Sequence, residues 1–99
     1  MNAVPYDNGF HFYTGIGNYT GVTATSLAEF AEKLQAVDSG SIRFHFQRAD
    51  FQKWIKTTIG DPELAKRMNM IKRELSDENL RQELLKVVQT RVVELKAFF

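Results

Sequence analysis

The fold class is decided by residues 10–37, which read FHFYTGIGNYTGVTATSLAEFAEKLQAV. The first four residues are aromatic and prone to form a strand. The glycine-rich residues 14–21 indicate a loop, and residues 22–24 are the candidate for a returning strand. Apolar residues then recur every three to four positions, which is the spacing of an amphipathic helix. This switch within one short stretch predicts an α+β domain.

The helix in this stretch is predicted to begin at Ser26. Ser26 and Glu29 fit a capping box, in which the serine hydroxyl accepts from the Glu29 amide and the carboxylate reaches back to the Ser26 amide. The predicted inward face consists of Leu27, Phe30, Ala31, Leu34 and Val37. Residues 38–40, Asp-Ser-Gly, end the helical pattern.

Length and composition predict one domain over residues 1–99. Hydrophobic residues make up 43% of the 99, which is ample material for one core. No cysteine is present, so disulfides and thiolate metal sites are excluded, and we predict no metal site and no cofactor. The N-terminus lacks a basic start followed by an apolar run, and no stretch of about 18 apolar residues occurs. We therefore expect a cytoplasmic protein that does not enter the membrane.

The net charge of +1 conceals a gradient along the chain. Residues 1–42 carry four acids and one base, residues 43–73 carry eight bases and three acids, and residues 74–99 carry five acids and four bases. A basic middle segment can attract an anionic partner, but nucleic-acid binders usually have a more basic domain with the bases on one face. We therefore expect solvated helix faces and consider nucleic-acid binding unlikely.

Residues 41–47 are open to two interpretations. Ile42, Phe44 and Phe46 alternate with polar residues, which favours a strand, although the segment runs directly into a helical region. Periodicity alone favours the strand, and the helix is kept as the alternative. In the strand interpretation the three apolar side chains form a buried face.

Three more helices are predicted downstream. Asp50 is the expected N-cap of a helix that carries Trp54 on its inward face and ends at Gly60. Asp61 and Pro62 give the next helix an acidic cap and a proline at its first position. The last helix is predicted from about Asp77 to Ala97. The whole domain is then α+β and predominantly α-helical, with a short N-terminal aromatic β segment packed on about four helices.

The two histidines are the main candidates for chemistry. Together with nearby charged residues they form a candidate ligand site, His11, His45, Arg48 and Asp50, although the sequence spacing does not show that these residues meet. Each histidine is flanked by phenylalanines, so a structural role at the edge of an aromatic segment is the alternative that we favour. The glycines at 15, 17 and 21 match no phosphate-binding fingerprint and indicate an ordinary loop or hairpin.

The block SIRFHFQRADFQKWI at residues 41–55, with Ile59-Gly-Asp61 and Leu64-Ala65, resembles a prokaryotic, largely archaeal, family of small domains of unknown function. The resemblance also covers residues 23–37, and thus about half of the chain. Family members occur alone or appended to larger, sometimes carbohydrate-active, proteins, which implies a regulatory or binding module more than an enzyme. The resemblance further implies that residues 41–48 form a short helix. No catalytic residue is carried over.

The last helix carries an unusually broad apolar arc. This arc is wider than one neighbouring helix can cover, so we expect a homo-oligomer interface there, formed by Val92, Val93, Leu95, Phe98 and Phe99. Arg91 lies near the middle of the arc and is expected to reach a carboxylate or solvent at the oligomer boundary. The favoured function is a self-associating interaction or regulatory module whose protein partner is unknown. The alternative is a small-ligand or carbohydrate-associated enzyme or sensor that uses the histidine, arginine and aspartate residues.

Overall fold

The structure, a computed structural model, describes residues 3–97. Two antiparallel strands pack on five helices, so the predicted α+β fold is confirmed. The elements in chain order are a 3-10 turn (Tyr6–Asn8), β1 (Phe10–Tyr13), β2 (Tyr19–Ala24), α1 (Leu27–Ala36), α2 (Ser39–Gln47), α3 (Asp50–Trp54), a π-helical segment (Ile55–Ile59), α4 (Pro62–Asn69) and α5 (Asp77–Ala97). None of these helices has the length and apolarity to cross a membrane.

The aromatic N-terminal segment forms a hairpin. Phe10 pairs with Ala24 and Phe12 with Val22, and the register shifts after Phe12. Gly21 lies at this shift with a φ of 85°, a left-handed conformation that glycine adopts without steric cost. Both phenylalanine rings are buried in the core, where they pack on the ring of Phe30 from α1. The predicted order of strand, loop and returning strand is confirmed.

The start of α1 confirms one half of the capping box and corrects the other. The Ser26 hydroxyl accepts from the amide of Glu29 at 3.1 Å, as expected. The Glu29 carboxylate, however, accepts from the amide of Thr25 at 2.8 Å and not from that of Ser26. It reaches one residue further back because the Thr25 hydroxyl is a second donor there, at 3.3 Å. The five predicted inward residues of this helix are all buried.

Residues 41–47 lie within helix α2, so the strand interpretation is wrong and the helix implied by the family resemblance is correct. The Asp38 side chain accepts from the amide of Gly40 at the start of this helix. Ile42, His45 and Phe46 are buried, and their spacing is that of one helical face. Phe44 lies beside this face and is only partly buried. The alternation of apolar and polar residues over 41–47 therefore does not reflect a strand.

The α3 helix begins one residue earlier than a capping role for Asp50 requires. Ala49 occupies the cap position with a φ of 59°, and Asp50 is the first helical residue, whose side chain makes no capping bond. The helix continues into the π-helical segment, which is capped at its C-terminus by Gly60, as predicted. Trp54 is a core anchor, and its indole N–H donates to the carbonyl of Asn8 at 2.8 Å.

The α4 and α5 helices follow the sequence pattern closely. Asp61 caps α4 by accepting from the amide of Leu64 at 3.0 Å, with Pro62 as the first helical residue. The predicted bounds of α5, Asp77 to Ala97, are those observed. α5 packs against three helices, α1, α2 and α4. Together they cover most of the broad apolar arc, of which Leu80, Leu84, Leu85 and Val88 are buried.

Candidate functional site

All four sequence-predicted ligand residues line one groove. It lies between β1 with its following loop and the helices α2 and α3, and it has a volume of about 600 Å³. The four are His11, His45, Arg48 and Asp50. Direct bonds join only the last three, because His11 is bonded to the hairpin instead. We call this feature the hairpin groove.

His45 is buried at the base of the hairpin groove, and both of its ring nitrogens are engaged. Its Nε2 accepts from the backbone N–H of Tyr13 at 2.8 Å, and its Nδ1 lies 2.9 Å from a carboxylate oxygen of Asp50. A backbone N–H can only donate, so Nε2 carries no proton and Nδ1 donates to Asp50. Burial lowers the pKa of His45, against the opposing effect of the Asp50 carboxylate. His45 is therefore a neutral side chain that joins β1 to α3.

Asp50 joins His45 to Arg48. The carboxylate oxygen that accepts from His45 lies 3.1 Å from Nε of Arg48. The Arg48 guanidinium also lies over the ring of Phe44, 4.9 Å from its centroid, and its side chain remains half exposed. Between these charged residues stands Ala49 in its left-handed conformation, which few residues other than glycine adopt. This backbone turn lets Arg48 and Asp50 meet beside the histidine.

His11 lies on the hairpin side of the groove. Its Nδ1 is 2.8 Å from the hydroxyl of Thr23 on β2. The Thr23 hydroxyl also contacts the hydroxyl of Tyr19, which in turn contacts that of Tyr6. The Tyr6 ring lies edge-on to the imidazole. His11 is thus fixed by its own strand pair and does not share a bond with His45.

Several groove residues were missed by the sequence analysis. Lys53 has no predicted role in a site, Trp54 is predicted only as a residue of an inward helix face, and Ile16 is predicted to lie in an ordinary loop. Ile16 is 87% exposed, although its side chain is apolar. An isoleucine between two glycines in a surface loop was the available signal for a contact surface. The other missed lining residues are Gly9, Phe10, Tyr13, Gly15, Gly17, Phe44 and Thr57.

The arrangement of His45 and Asp50 offers little for acid–base or metal chemistry. A general base needs a free nitrogen within reach of its substrate, and both nitrogens of His45 have protein partners. Residues 3–97 hold no group of three histidine, aspartate or glutamate side chains placed to bind a metal ion. The exposed polar side chains of the groove include those of Arg48 and Lys53, which suit binding.

Three of the five predicted interface residues, Val92, Val93 and Leu95, lie near the C-terminal end of α5. Val93 is 68% exposed, whereas Val92 and Leu95 are half-buried against the core. Phe98 and Phe99 lie outside the described residues. Arg91 pairs with Asp61 at 2.8 Å within the same chain. It therefore finds its carboxylate without the oligomer boundary at which we expected it.

A comparison with models of protein families assigns the chain to a family. The model of a family of unknown function, DUF5752, matches residues 7–98. The chain belongs to this family. The match extends from the hairpin to the end of α5, so the family covers more of the chain than the half on which the resemblance rested. No curated protein and no solved structure matches the chain.

Proposed function

We propose that the chain is a small binding module whose recognition site is the hairpin groove. This proposal combines the two functions that the sequence leaves open. It keeps the interaction module and takes the residues of the alternative ligand site as the place where that module binds. We prefer binding to catalysis because the polar atoms of His45 and Asp50 already bond to other groups of the protein, while Arg48 and Lys53 remain exposed in the groove.

One observation carries the proposal, namely the convergence of the four sequence-predicted residues on one concave surface. His11 comes from β1, whereas His45, Arg48 and Asp50 lie within residues 45–50, at the junction of α2 and α3. The groove also has the size of a small-molecule site and mixes polar groups with apolar walls. A second groove of about 530 Å³ is lined by Leu27, Ile59 and Leu95, but its charged pair, Asp61 and Arg91, is satisfied internally.

The test is a screen of small organic compounds by two-dimensional ¹H–¹⁵N NMR. We expect compounds that bind to shift the amide resonances of Gly15, Ile16 and Lys53, and to leave those around Ile59 and Leu95 unchanged. A Thr57→Trp variant should block the groove, because Thr57 is an exposed lining residue. Thr90→Trp, an exposed change on α5, is the matched control. Shifts that persist in Thr57→Trp, or that fall elsewhere, contradict the proposal.

Self-association through α5 is a second candidate, supported by the exposure of Val93 next to the half-buried Val92 and Leu95. The intramolecular cover of the helix leaves a smaller apolar patch than the sequence suggested. Sedimentation equilibrium tests it with a Val93→Glu variant and with Thr90→Glu as the control. We expect Val93→Glu alone to reduce the apparent mass. A parent chain that stays monomeric at all concentrations contradicts the dimer.

A further inference from the structure

The charged groups of the hairpin groove leave one positive charge without compensation. Asp50 is paired with Arg48, and His45 is neutral because its Nε2 accepts from a backbone amide. Lys53 is exposed in the groove and has no carboxylate partner in the part of the chain that the structure describes. Two cations and one anion thus give the groove a net charge of about +1, which complements a single negative charge.

Apolar side chains form a further part of the groove walls. Ile16 from the hairpin loop and Phe44 from α2 both line the groove, and Ile16 is exposed. The indole N–H of Trp54 is already bonded to Asn8, so the part of this side chain left for a ligand is ring carbon. Such walls favour a ligand with a flat or aliphatic body.

The backbone at the edge of β1 disfavours an extended peptide in this groove. Strand addition requires a row of free N–H and C=O groups along a sheet edge. In β1 the N–H of Tyr13 is bonded to His45, and just before the strand the C=O of Asn8 is bonded to Trp54. Side chains of the protein therefore occupy the edge at both ends, as in edges protected against strand pairing. A compact ligand needs no such row.

We propose that the hairpin groove binds a small monoanion, a carboxylate attached to an apolar ring or chain. The carboxylate lies against Lys53 and the free guanidinium nitrogens of Arg48, and the apolar body lies between Ile16 and Phe44. This inference rests on the proposed function, since it names the ligand class of the same site.

Three small probes of similar size, each with a phenyl ring but with different charge, test the ligand class. Benzoate, benzyl alcohol and benzylammonium are titrated separately at pH 7 while the amide resonances of the groove and the fluorescence of Trp54, the single tryptophan, are followed. We expect benzoate to bind most tightly. A blocked acidic pentapeptide is the fourth probe, and tighter binding of that peptide than of benzoate overturns the small-ligand assignment.

A lysine variant tests the position of the charge. Lys53→Gln should weaken benzoate binding by about threefold to fivefold, as expected for one partly exposed charge pair. Lys56→Gln is the matched control, because Lys56 is exposed three residues along and does not line the groove. Equal effects of the two substitutions contradict the assigned position.

The outcomes separate the ligand class from the site. If benzyl alcohol or benzylammonium binds in the groove as tightly as benzoate, the monoanion assignment is wrong and the binding site stands. If none of the four probes shifts the groove resonances, both the ligand class and the proposed function are contradicted.

Discussion

Two aspartates stand at the starts of α3 and α4, and each lies beside an arginine. Asp61 accepts from the amide of Leu64 and from Arg91 at 2.8 Å, and it is only 7% exposed. Asp50 makes no capping bond and accepts from His45 and Arg48 at the floor of an open groove. Asp61 thus stabilises a closed junction, whereas Asp50 organises an open surface.

The electrostatics of the two aspartates differ accordingly. Burial acts to raise the pKa of Asp61, but the bonds from Arg91 and from the Leu64 amide outweigh it and leave the pKa below its ordinary value. Beside Asp50, burial lowers the pKa of its partner His45. Asp61, whose carboxylate bonds to both a helix amide and an arginine, should contribute mainly to the stability of the fold. Asp50 should mainly hold His45 and Arg48 in position at the groove. The following predictions test this contrast, from the largest expected effect to the smallest.

The largest effect is expected at the closed junction. Asp61→Ala removes a helix cap and leaves Arg91 without its buried partner, which should lower the free energy of unfolding by about 3 kcal/mol. Asp61→Asn keeps a capping side chain and should cost less. Urea denaturation measures both. A loss from Asp61→Ala no larger than that from Asp50→Ala contradicts the contrast.

A smaller loss is expected at the open groove. Asp50→Ala leaves the Nδ1 donor of His45 buried without its partner, which should cost about 1 to 2 kcal/mol. Asp7→Ala, at an exposed aspartate of the 3-10 turn, is the control and should change little. The same denaturation experiment measures both. A neutral Asp50→Ala would show that the bond to His45 does not hold the groove floor.

The third prediction concerns pH. The pKa of His45 is lower in the folded chain than its ordinary value, so the unfolded chain binds more protons below about pH 6.5. The stability present above that pH should therefore decline as the pH falls through the folded-state pKa. One proton limits the slope to about 1.4 kcal/mol per pH unit.

Two histidine variants assign this pH dependence. His45→Gln should flatten the decline in unfolding free energy between pH 7 and 5, whereas His11→Gln should retain it. A decline that is unchanged in His45→Gln would place its origin outside the groove.

The smallest effect is expected at the turn between α2 and α3. Ala49→Gly removes the steric strain of an alanine in the left-handed conformation. This gain should exceed the entropic cost of glycine and raise the free energy of unfolding by about 0.5 kcal/mol. Ala28→Gly in the exposed part of α1 should instead destabilise by about 1 kcal/mol. Thermal unfolding of the two variants compares them, and destabilisation of the same size in both would show that Ala49 is unstrained.

Local signals account for the part of the fold that the sequence predicts. The Ser26 hydroxyl, the Asp61 and Pro62 pair, and the periodicity of residues 77–97 act within one or two helical turns, so no tertiary information is needed. Residues 41–47 are ambiguous because Ile42 and Phe46, four residues apart, fit both the alternation of a strand and the spacing of one helical face. Packing of α2 against α5 and β1 decides between them, and that contact is not local.

The candidate site was predicted only in part, for a related reason. His11, His45, Arg48 and Asp50 are predicted as a site because they are the two histidines of the chain and two charged residues close to His45. The left-handed backbone at Ala49 had no sequence signal, since alanine rarely adopts that conformation. For this reason Asp50 was given a capping role. Lys53 and Ile16 join the groove through tertiary placement alone.

The most direct test of the account is the protonation state of His45. Long-range ¹H–¹⁵N correlation spectra of the two imidazoles report which ring nitrogen carries the proton. At pH 7 we predict that His45 is neutral, with a protonated Nδ1 that donates to Asp50 and an unprotonated Nε2 that accepts from Tyr13. A proton on Nε2, whether in the other tautomer or in the imidazolium form, would contradict a structural His45 at the floor of a binding groove.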